Sequence, residues 1–298
     1  MPELPDIVVY IEALTARVVG RPLERIRIGN PFVIRTIDPA PAEFEGLRIS
    51  GLRRMGKRIT FAFAGDLFMV VHLMIAGRFR WRERGAAMPG KAGMAAFDFP
   101  QGTLLFTEQG SKRQASIHLV RGRAGLSDFE RGGLEVLDTD LPTFAERLTA
   151  QNHTLKRALT DPTIFSGIGN AYSDEILHAA GLSPMKQTRQ LADVEIGALF
   201  HATQRTLETW IARTRAEVGG DFPEKVTAFR EGMAAHGRFG KPCPVCTAPI
   251  QRIVYAHNEC NYCAKCQTEG RLLSDRALSR LLRQDWPKTL DELERRNS

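Results

Sequence analysis

Phe165-Ser166-Gly167-Ile168-Gly169-Asn170-Ala171-Tyr172-Ser173-Asp174-Glu175 joins two stretches of helical pattern. Upstream, Leu155 to Pro162 reads as the end of one helix; downstream, Ala171 to Ala180 reads as the next, closed by Gly181 and Pro184. A helix that opens on Gly-x-Gly-Asn presents backbone N–H groups and the positive end of its dipole, a seat for a phosphate. Glycine turns between helices are usually only geometric, so this stretch takes its meaning from what flanks it.

On the N-terminal side the pattern is β. Ile7, Ile11, Leu14 and Val18 share a helical face that Gly20 ends. Strand signals follow at Ile26 and Ile28, over the β-branched run Phe32 to Ile37, and at Ile59, Phe61 and Phe63. Phe97 to Phe106 holds Pro100-Gln101-Gly102 between two apolar runs, a hairpin. Residues 1–132 therefore predict one helix leading an antiparallel β domain, a sandwich or a barrel. Gly132-Gly133 begins a linker. Beyond it, Phe144 to Leu159 and Glu195 to Val218 read as helical, which sets a helical module at 133–236.

On the C-terminal side all 5 cysteines fall within 237–273. Cys243-x-x-Cys246 and Cys263-x-x-Cys266 are two knuckles whose thiolates can converge on one ion, the four-cysteine zinc pattern. Four thiolates leave no open position, so one structural Zn2+ that folds a hairpin is expected. Cys260-x-x-Cys263 offers a second ligand set; the outer spacing fits the template better, which makes Cys260 a spectator. Residues 274–298 read as a tail with a short amphipathic helix at Leu278, Leu281 and Leu282. The fold class expected is α+β: a helix with an antiparallel β-sandwich, a helical module and a zinc-bound β-hairpin.

Hydrophobic residues make up 43% of the 298, which excludes wholesale disorder, and 41 Lys and Arg against 34 Asp and Glu give +7. That balance points toward polyanions without proving them. Met1-Pro2-Glu3-Leu4-Pro5-Asp6 lacks the bases and apolar run of a signal peptide, and Leu67 to Ile75 is too short to span a bilayer. A monomer in the cytoplasm, on the nucleoid and off membranes, is the expectation.

The opening Met-Pro-Glu-Leu-Pro, a lysine at 57, the helix-two-turn-helix bearing Gly-Ile-Gly-Asn-Ala-Tyr-Ser-Asp-Glu and the late four-cysteine hairpin, in this order, resemble the bacterial formamidopyrimidine-DNA glycosylase/endonuclease VIII family over about residues 1–273. The resemblance implies a bifunctional glycosylase and abasic-site lyase acting on damaged double-stranded DNA. Pro2, exposed when Met1 is removed, is then the nucleophile. A free α-amine with a pKa of about 7.7–8.0 is partly unprotonated near neutrality and can attack the sugar C1′. Because Pro2 is a secondary amine, its adduct is a cationic iminium, the electron sink for β- and δ-elimination. By the same matching Glu3 is the general acid/base that opens the sugar ring, and Lys57 holds the phosphate at the lesion. Lys156 and Asn170 hold the lesion-strand backbone.

The sequence departs from the family at several points. Asp6 stands where the family usually has a glutamate. His72-Leu73-Met74-Ile75-Ala76-Gly77 replaces His-Leu-Gly-Met-Ser-Gly, so the wedge that fills the void of a flipped nucleotide is Ile75 or Met74. Glu108 to Gln114 replaces Asp-Pro-Arg-Arg-Phe-Gly; Arg113 is carried over as a DNA contact, and the aromatic plug is missing. Asn258 stands in place of a zinc-hairpin arginine, leaving Arg252, taken here as a phosphate contact, or Lys265 to compensate. The interval from Gly219-Gly220 to Cys243 is shorter than in the purine-specific branch, so poor excision of 8-oxoguanine is expected. Two other classes compete: a catalytically silent, zinc-bearing protein that binds damaged DNA, and a zinc-ribbon protein of RNA metabolism. The combination of Pro2, Glu3 and Lys57 argues against the first, and the unexplained N-terminus against the second.

Overall fold

The computed structural model describes residues 1–110, 112–224, 230–255, 258–274, 280–281 and 287–297. The chain divides into two compact units, Met1–Arg131 with Trp210–Ala228, and Gly132–Thr209 with Phe229–Ser298.

The first unit opens with helix α1, Leu4–Val18. Pro5 suits its first turn, where an N–H has no intrahelical partner, and the Asp6 carboxylate accepts the Glu3 N–H at 2.8 Å. Gly20, at φ +76°, turns the chain away. Two four-stranded antiparallel sheets follow. One runs β1 (Arg25–Ile28), β6 (Gly93–Phe99), β7 (Gly102–Glu108), β5 (Gly77–Arg82); the other runs β2 (Ile49–Met55), β3 (Arg58–Phe63), β4 (Leu67–His72), β8 (Ser116–Arg121). Both sheets and α1 bury side chains in one core, which makes the domain a sandwich and not a barrel. Phe79 is central: the rings of Tyr10, Phe61 and Phe106 lie 6.0, 6.3 and 5.2 Å from it.

The expected strand at Phe32 to Ile37 does not form. Asn30 accepts the Phe32 N–H and Pro31 opens a 3₁₀ turn, Pro31–Val33; Ile34 alone keeps a bridge, to Ile117. Local turn chemistry outweighs β-branched propensity here. The unit is completed by the end of a long helix and the segment after it. Arg215 pairs with Glu12, Phe222 packs on Tyr10 at 5.8 Å, and Glu224 pairs with Arg82. Residues 225–229, part of the interval expected to be shortened, lie outside the described residues.

The second unit is helical. The run Phe144 to Leu159 resolves into two helices, α2 (Leu141–Thr149) and α3 (Leu155–Thr160). They separate because Thr154 caps α3, accepting the Arg157 N–H, while its neighbours His153 and Thr188 pair. α4 (Asn170–Ala180) ends on left-handed Gly181, and α5 (Asp193–Val218) passes from the second unit into the first at Thr209/Trp210. Phe144 stacks on Phe165 at 4.8 Å and meets Phe200 at 5.3 Å.

The hairpin β9 (Ile250–Tyr255) and β10 (Asn258–Cys263) leads into α6 (Ala264–Thr268). Of the amphipathic helix expected in the tail, Leu278 and Leu282 lie outside the described residues and Leu281 is exposed. The described tail helix is α7, Leu290–Asn297. The chain returns so that the Leu272 N–H meets Lys288 O at 2.8 Å and the Leu290 N–H meets Gly270 O at 2.9 Å. Leu290 is buried with Ile253, Tyr262 and Ala264, so the tail packs on the hairpin. Among the described residues no helix is long and apolar enough to cross a membrane. Leu290→Ala is expected to destabilise the second unit by about 2 kcal/mol; an unchanged urea midpoint for the variant would show that the tail contributes nothing.

Candidate functional site

The residues singled out from the sequence fall into two groups, one in each unit. In the first unit Pro2 is buried ahead of α1, and Glu3 is 3% exposed. The Met1 α-amine lies in a ring of charges. Burial holds its pKa below the ordinary value; Arg78 and Lys57 push the same way, and Glu3 and Asp6 oppose them. Glu3, Asp6, Arg78 and Lys57 are thus the charges that act on the half-buried chain terminus.

Each is placed by a local device. Lys57 sits in the two-residue turn between paired Met55 and Arg58, where Gly56 takes φ +61° and Arg54 Nη1 donates to Gly56 O at 2.9 Å. Arg58 faces His72 across β3 and β4, and its guanidinium lies over the Phe129 ring at 5.9 Å. His72 is pushed down to about 4, first by burial and then by the cations Arg58 and Lys57. It is a neutral imidazole at physiological pH. The sequence reading missed His72 as an electrostatic member of the site, and Arg78 altogether. The alternation Arg78-x-Arg80-x-Arg82 along a strand was the available signal for Arg78.

Ile75 occupies the tip of the turn between β4 and β5. Met74 holds φ +53°, the Gly77 N–H reaches Leu73 O at 2.8 Å, and Arg78 Nη1 donates to Ile75 O at 3.0 Å and to Gly77 O at 2.7 Å. Ile75 is 66% exposed and Met74 is half-buried. Of the two wedge candidates, Ile75 is the one presented. A Cβ on Gly77 would stand 2.2 Å from Leu73 O, so only glycine closes this turn. The replacement loop folds on Glu108, whose buried carboxylate accepts the Gln114 N–H at 3.0 Å and the Ala115 N–H at 3.1 Å. Arg113 is exposed there and donates to Lys91 O; Ser111 lies outside the described residues.

In the second unit Lys156 is not the open cation expected from the sequence. Its Nζ donates to Asn170 O at 2.8 Å, Ser173 Oγ at 2.8 Å and Asp174 Oδ1 at 2.5 Å, which takes all three N–H bonds of an ammonium. These bonds fix the first turn of α4. Asn170 opens that helix, and its Nδ2 donates to Glu259 O in β10 at 2.8 Å. His236 Nδ1 meets the other Asp174 oxygen at 2.7 Å, and Glu175 accepts the N–H groups of Ala234, Ala235 and His236 at 2.7, 2.8 and 2.9 Å. Arg252, 44% exposed, stacks over Phe239 at 4.2 Å and pairs with Glu259. Lys265 is exposed.

The thiols of Cys243, Cys246, Cys263 and Cys266 all lie within 4.8 Å of one another and can hold one metal ion. Burial pushes the Cys243 thiol up, but His178 and the Cys246 and Val245 amides outweigh it and hold the thiol below its ordinary value. Cys260 stands outside the cluster, beside Asp174, and burial raises its pKa strongly. This agrees with its reading as a spectator.

Keeping His72 neutral has a consequence for stability. Its folded pKa is depressed from 6.5 to about 4, so between these values the unfolded chain takes up a proton that the folded chain refuses. Stability therefore falls as pH drops through this window, by up to about 3 kcal/mol. Urea unfolding at pH 7, 5.5 and 4.5 is expected to show a steeper loss in the wild type than in His72→Gln. Parallel pH curves would refute the assignment.

Comparison with known proteins agrees with this arrangement. The formamidopyrimidine-DNA glycosylase N-terminal domain matches residues 1–113, and the formamidopyrimidine-DNA glycosylase H2TH domain matches residues 134–219. The formamidopyrimidine-DNA glycosylase of Moorella thermoacetica is 32% identical over 265 residues, 85% of this chain and 94% of that protein. The crystal structure of MutM (Fpg) from Thermus thermophilus superposes with a TM-score of 0.75 at 30% identity, covering 89% of this chain and 98% of that one. The Lactococcus lactis protein bound non-covalently to AP-site DNA gives 0.78 at 26% identity, covering 89% and 99%. With its N-terminal ring of charges, its helix-two-turn-helix and its four-thiol cluster in one chain, this protein belongs to the formamidopyrimidine-DNA glycosylase family.

Proposed function

We propose that this protein is a DNA glycosylase of base repair that excises damaged bases and then cleaves the strand at the abasic site. The observation that carries the reading is the set of charges, Glu3, Asp6, Arg78 and Lys57, that acts on a half-buried chain terminus beside buried Pro2. Relatives lend support: solved structures pair Fpg or MutM proteins with DNA containing carbocyclic 8-oxoG, Fapy-dG or an abasic site.

Removal of Met1 makes Pro2 the terminus. The same surroundings that hold the Met1 amine below its ordinary pKa, burial first and then the cations Arg78 and Lys57, would act on a Pro2 amine next to it, whose unprotonated form is the nucleophile. Its lone pair attacks C1′, the damaged base leaves with the electrons of the glycosidic bond, and the N–H proton of the amine is given up to the departing base, which frees the nitrogen lone pair again. Glu3 protonates the ring oxygen as the sugar opens, leaving C1′ joined to nitrogen as an iminium. The iminium accepts the electron pair freed when a C2′ proton is lost, so the 3′ phosphate departs by β-elimination. The 5′ phosphate follows by δ-elimination, and water releases the enzyme. Lys57 offers its ammonium to a phosphate oxygen, and neutral His72 beside it offers a hydrogen bond without adding charge.

Asn170 and Arg252 hold phosphates from the second unit, and Lys156 keeps Asn170 in place. Arg113 is a further exposed cation for the backbone, and Ile75 is the wedge. Zinc is the ion that suits four thiolates. A closed donor set leaves it no open position, and its contribution is to fold the hairpin carrying Arg252.

Borohydride is expected to trap a covalent complex with abasic-site DNA through Pro2; an adduct mapped to Lys57 would overturn the mechanism. Glu3→Gln is expected to bind DNA but lose base excision. Arg252→Ala should lower the log–log salt slope of binding by about one, whereas Lys156→Ala should weaken binding with the slope unchanged. Cys263→Ser should lose zinc and Cys260→Ser retain it, read by metal content. Single-turnover rates on matched duplexes test lesion choice: 8-oxoguanine opposite cytosine is expected to be excised more slowly than ring-opened purines or oxidised pyrimidines.

A further inference from the structure

His178, in the last turn of α4, is buried, and its Nε2 lies 3.2 Å from Cys243 Sγ, itself buried. The imidazole is not one of the ligands, because only the four cysteine sulfurs form the group whose atoms lie within 4.8 Å of one another. We propose that His178 is a positioning residue for the metal centre, donating an Nε2–H···S hydrogen bond to the Cys243 thiolate and so tying metal occupancy to the placement of α4. This rests on zinc occupying the four-cysteine cluster.

The direction of the bond follows from charge. A metal-bound thiolate has no proton to give, so the 3.2 Å contact is attractive only if His178 is the donor. Four thiolates around Zn2+ leave a net charge of about −2 in a partly buried site, a charge that needs nearby donors. Backbone groups supply some of them. The Val245 N–H reaches Cys243 Sγ at 3.4 Å, and the Cys266 N–H reaches Cys263 Sγ at 3.5 Å. His178 differs in coming from another element, 65 residues away in sequence. Ordinary packing would be met there by any apolar ring.

The same helix touches the hairpin elsewhere. At its start Asn170 Nδ2 donates to Glu259 O at 2.8 Å, and just past its end Gln267 Nε2 donates to Leu182 O at 2.9 Å. Gln267 Oε1 in turn accepts the N–H of the ligand Cys263 at 2.8 Å. Loss of the ion would remove the charge that holds His178 and loosen α4 at the end opposite Asn170.

The test uses the full-length, zinc-loaded protein and its variants His178→Phe and His178→Gln. Transfer of zinc to a chromogenic chelator is expected to show affinity about 10- to 100-fold weaker for His178→Phe. His178→Gln, which keeps an N–H donor, should be intermediate. In the cobalt-substituted proteins the sulfur-to-metal charge-transfer band should move to lower energy in His178→Phe, a shift that a packing defect remote from sulfur would not give. Nitrogen NMR of the wild type reads the tautomer without any substitution: the proton is expected on Nε2. Unchanged zinc affinity and an unchanged cobalt spectrum in His178→Phe would overturn the proposal, as would a proton found on Nδ1 with Nε2 bare. Wild-type protein that binds no zinc would sink the four-cysteine reading first and this proposal with it.

Discussion

A chain terminus carries charge and tends to fray, so holding one in the interior needs a device. Here the device is the Asp6 carboxylate on the Glu3 N–H. It caps α1 at Glu3, so the helix starts at Leu4 and leaves no slack between itself and Pro2. α1 is in turn fixed by its apolar face, because Ile7, Tyr10, Leu14 and Val18 all enter the sandwich core. A glutamate in place of Asp6 would carry one more methylene; the shorter arm suits a capping carboxylate, which bonds locally and need not reach outward. The placement of Pro2 and Glu3 thus depends on a helix cap, and the cap depends on the core beneath the helix.

The second unit is organised by two adjacent carboxylates on α4. Asp174 takes Lys156 and His236, and Glu175 takes three consecutive N–H groups of the segment leading to the hairpin. Both are buried, so an unpaired neighbour would be costly, on the order of 3–5 kcal/mol for a broken buried pair. The helix therefore holds its partners in one arrangement. A Gly-x-Gly-Asn turn followed by Ser-Asp-Glu specifies a helix start and the polar anchors behind it.

Much of this was legible in the sequence, for physical reasons. Thiol spacing fixes geometry directly: two x-x knuckles can meet one ion, and Cys260, one residue out of the pattern, points to Asp174 instead. Alternation revealed β3, and the Pro100-Gln101-Gly102 turn between two apolar runs revealed the β6–β7 hairpin, whose strands are buried throughout. β5 carries the same alternation, Phe79 and Trp81 between Arg78, Arg80 and Arg82, and was passed over, whereas β2 is hidden because it runs Ile49-Ser50-Gly51-Leu52-Arg53-Arg54. Phe32 to Ile37 misled because propensity was weighed without the Asn30-Pro31 pair before it. Lys156 misled because its type suggests a phosphate, whereas its three acceptors lie on α4, the helix that follows the glycine turn. Sequence identifies a cation; only folded neighbours decide whether it has donors to spare.

The loop after β7 and the turn at 73–77 are each closed by local hydrogen bonds. Glu108 draws the Gln114 and Ala115 N–H groups onto one buried carboxylate, closing the segment into a short turn without an aromatic side chain. A side chain inserted into duplex DNA must be rigid at its base, or the ordering cost cancels the contact it makes. The turn at 73–77 meets that condition. Arg78 grips two of its carbonyls, the Gly77 N–H closes it, and Ile75, β-branched and stiff at χ1, stands at its tip. On the proposed reading of Ile75 as the wedge, its aliphatic tip brings a nonpolar contact to the opposite base. Stacking on an aliphatic wedge distinguishes bases far less than donors and acceptors do, so the proposed reading assigns lesion selectivity to other groups than Ile75.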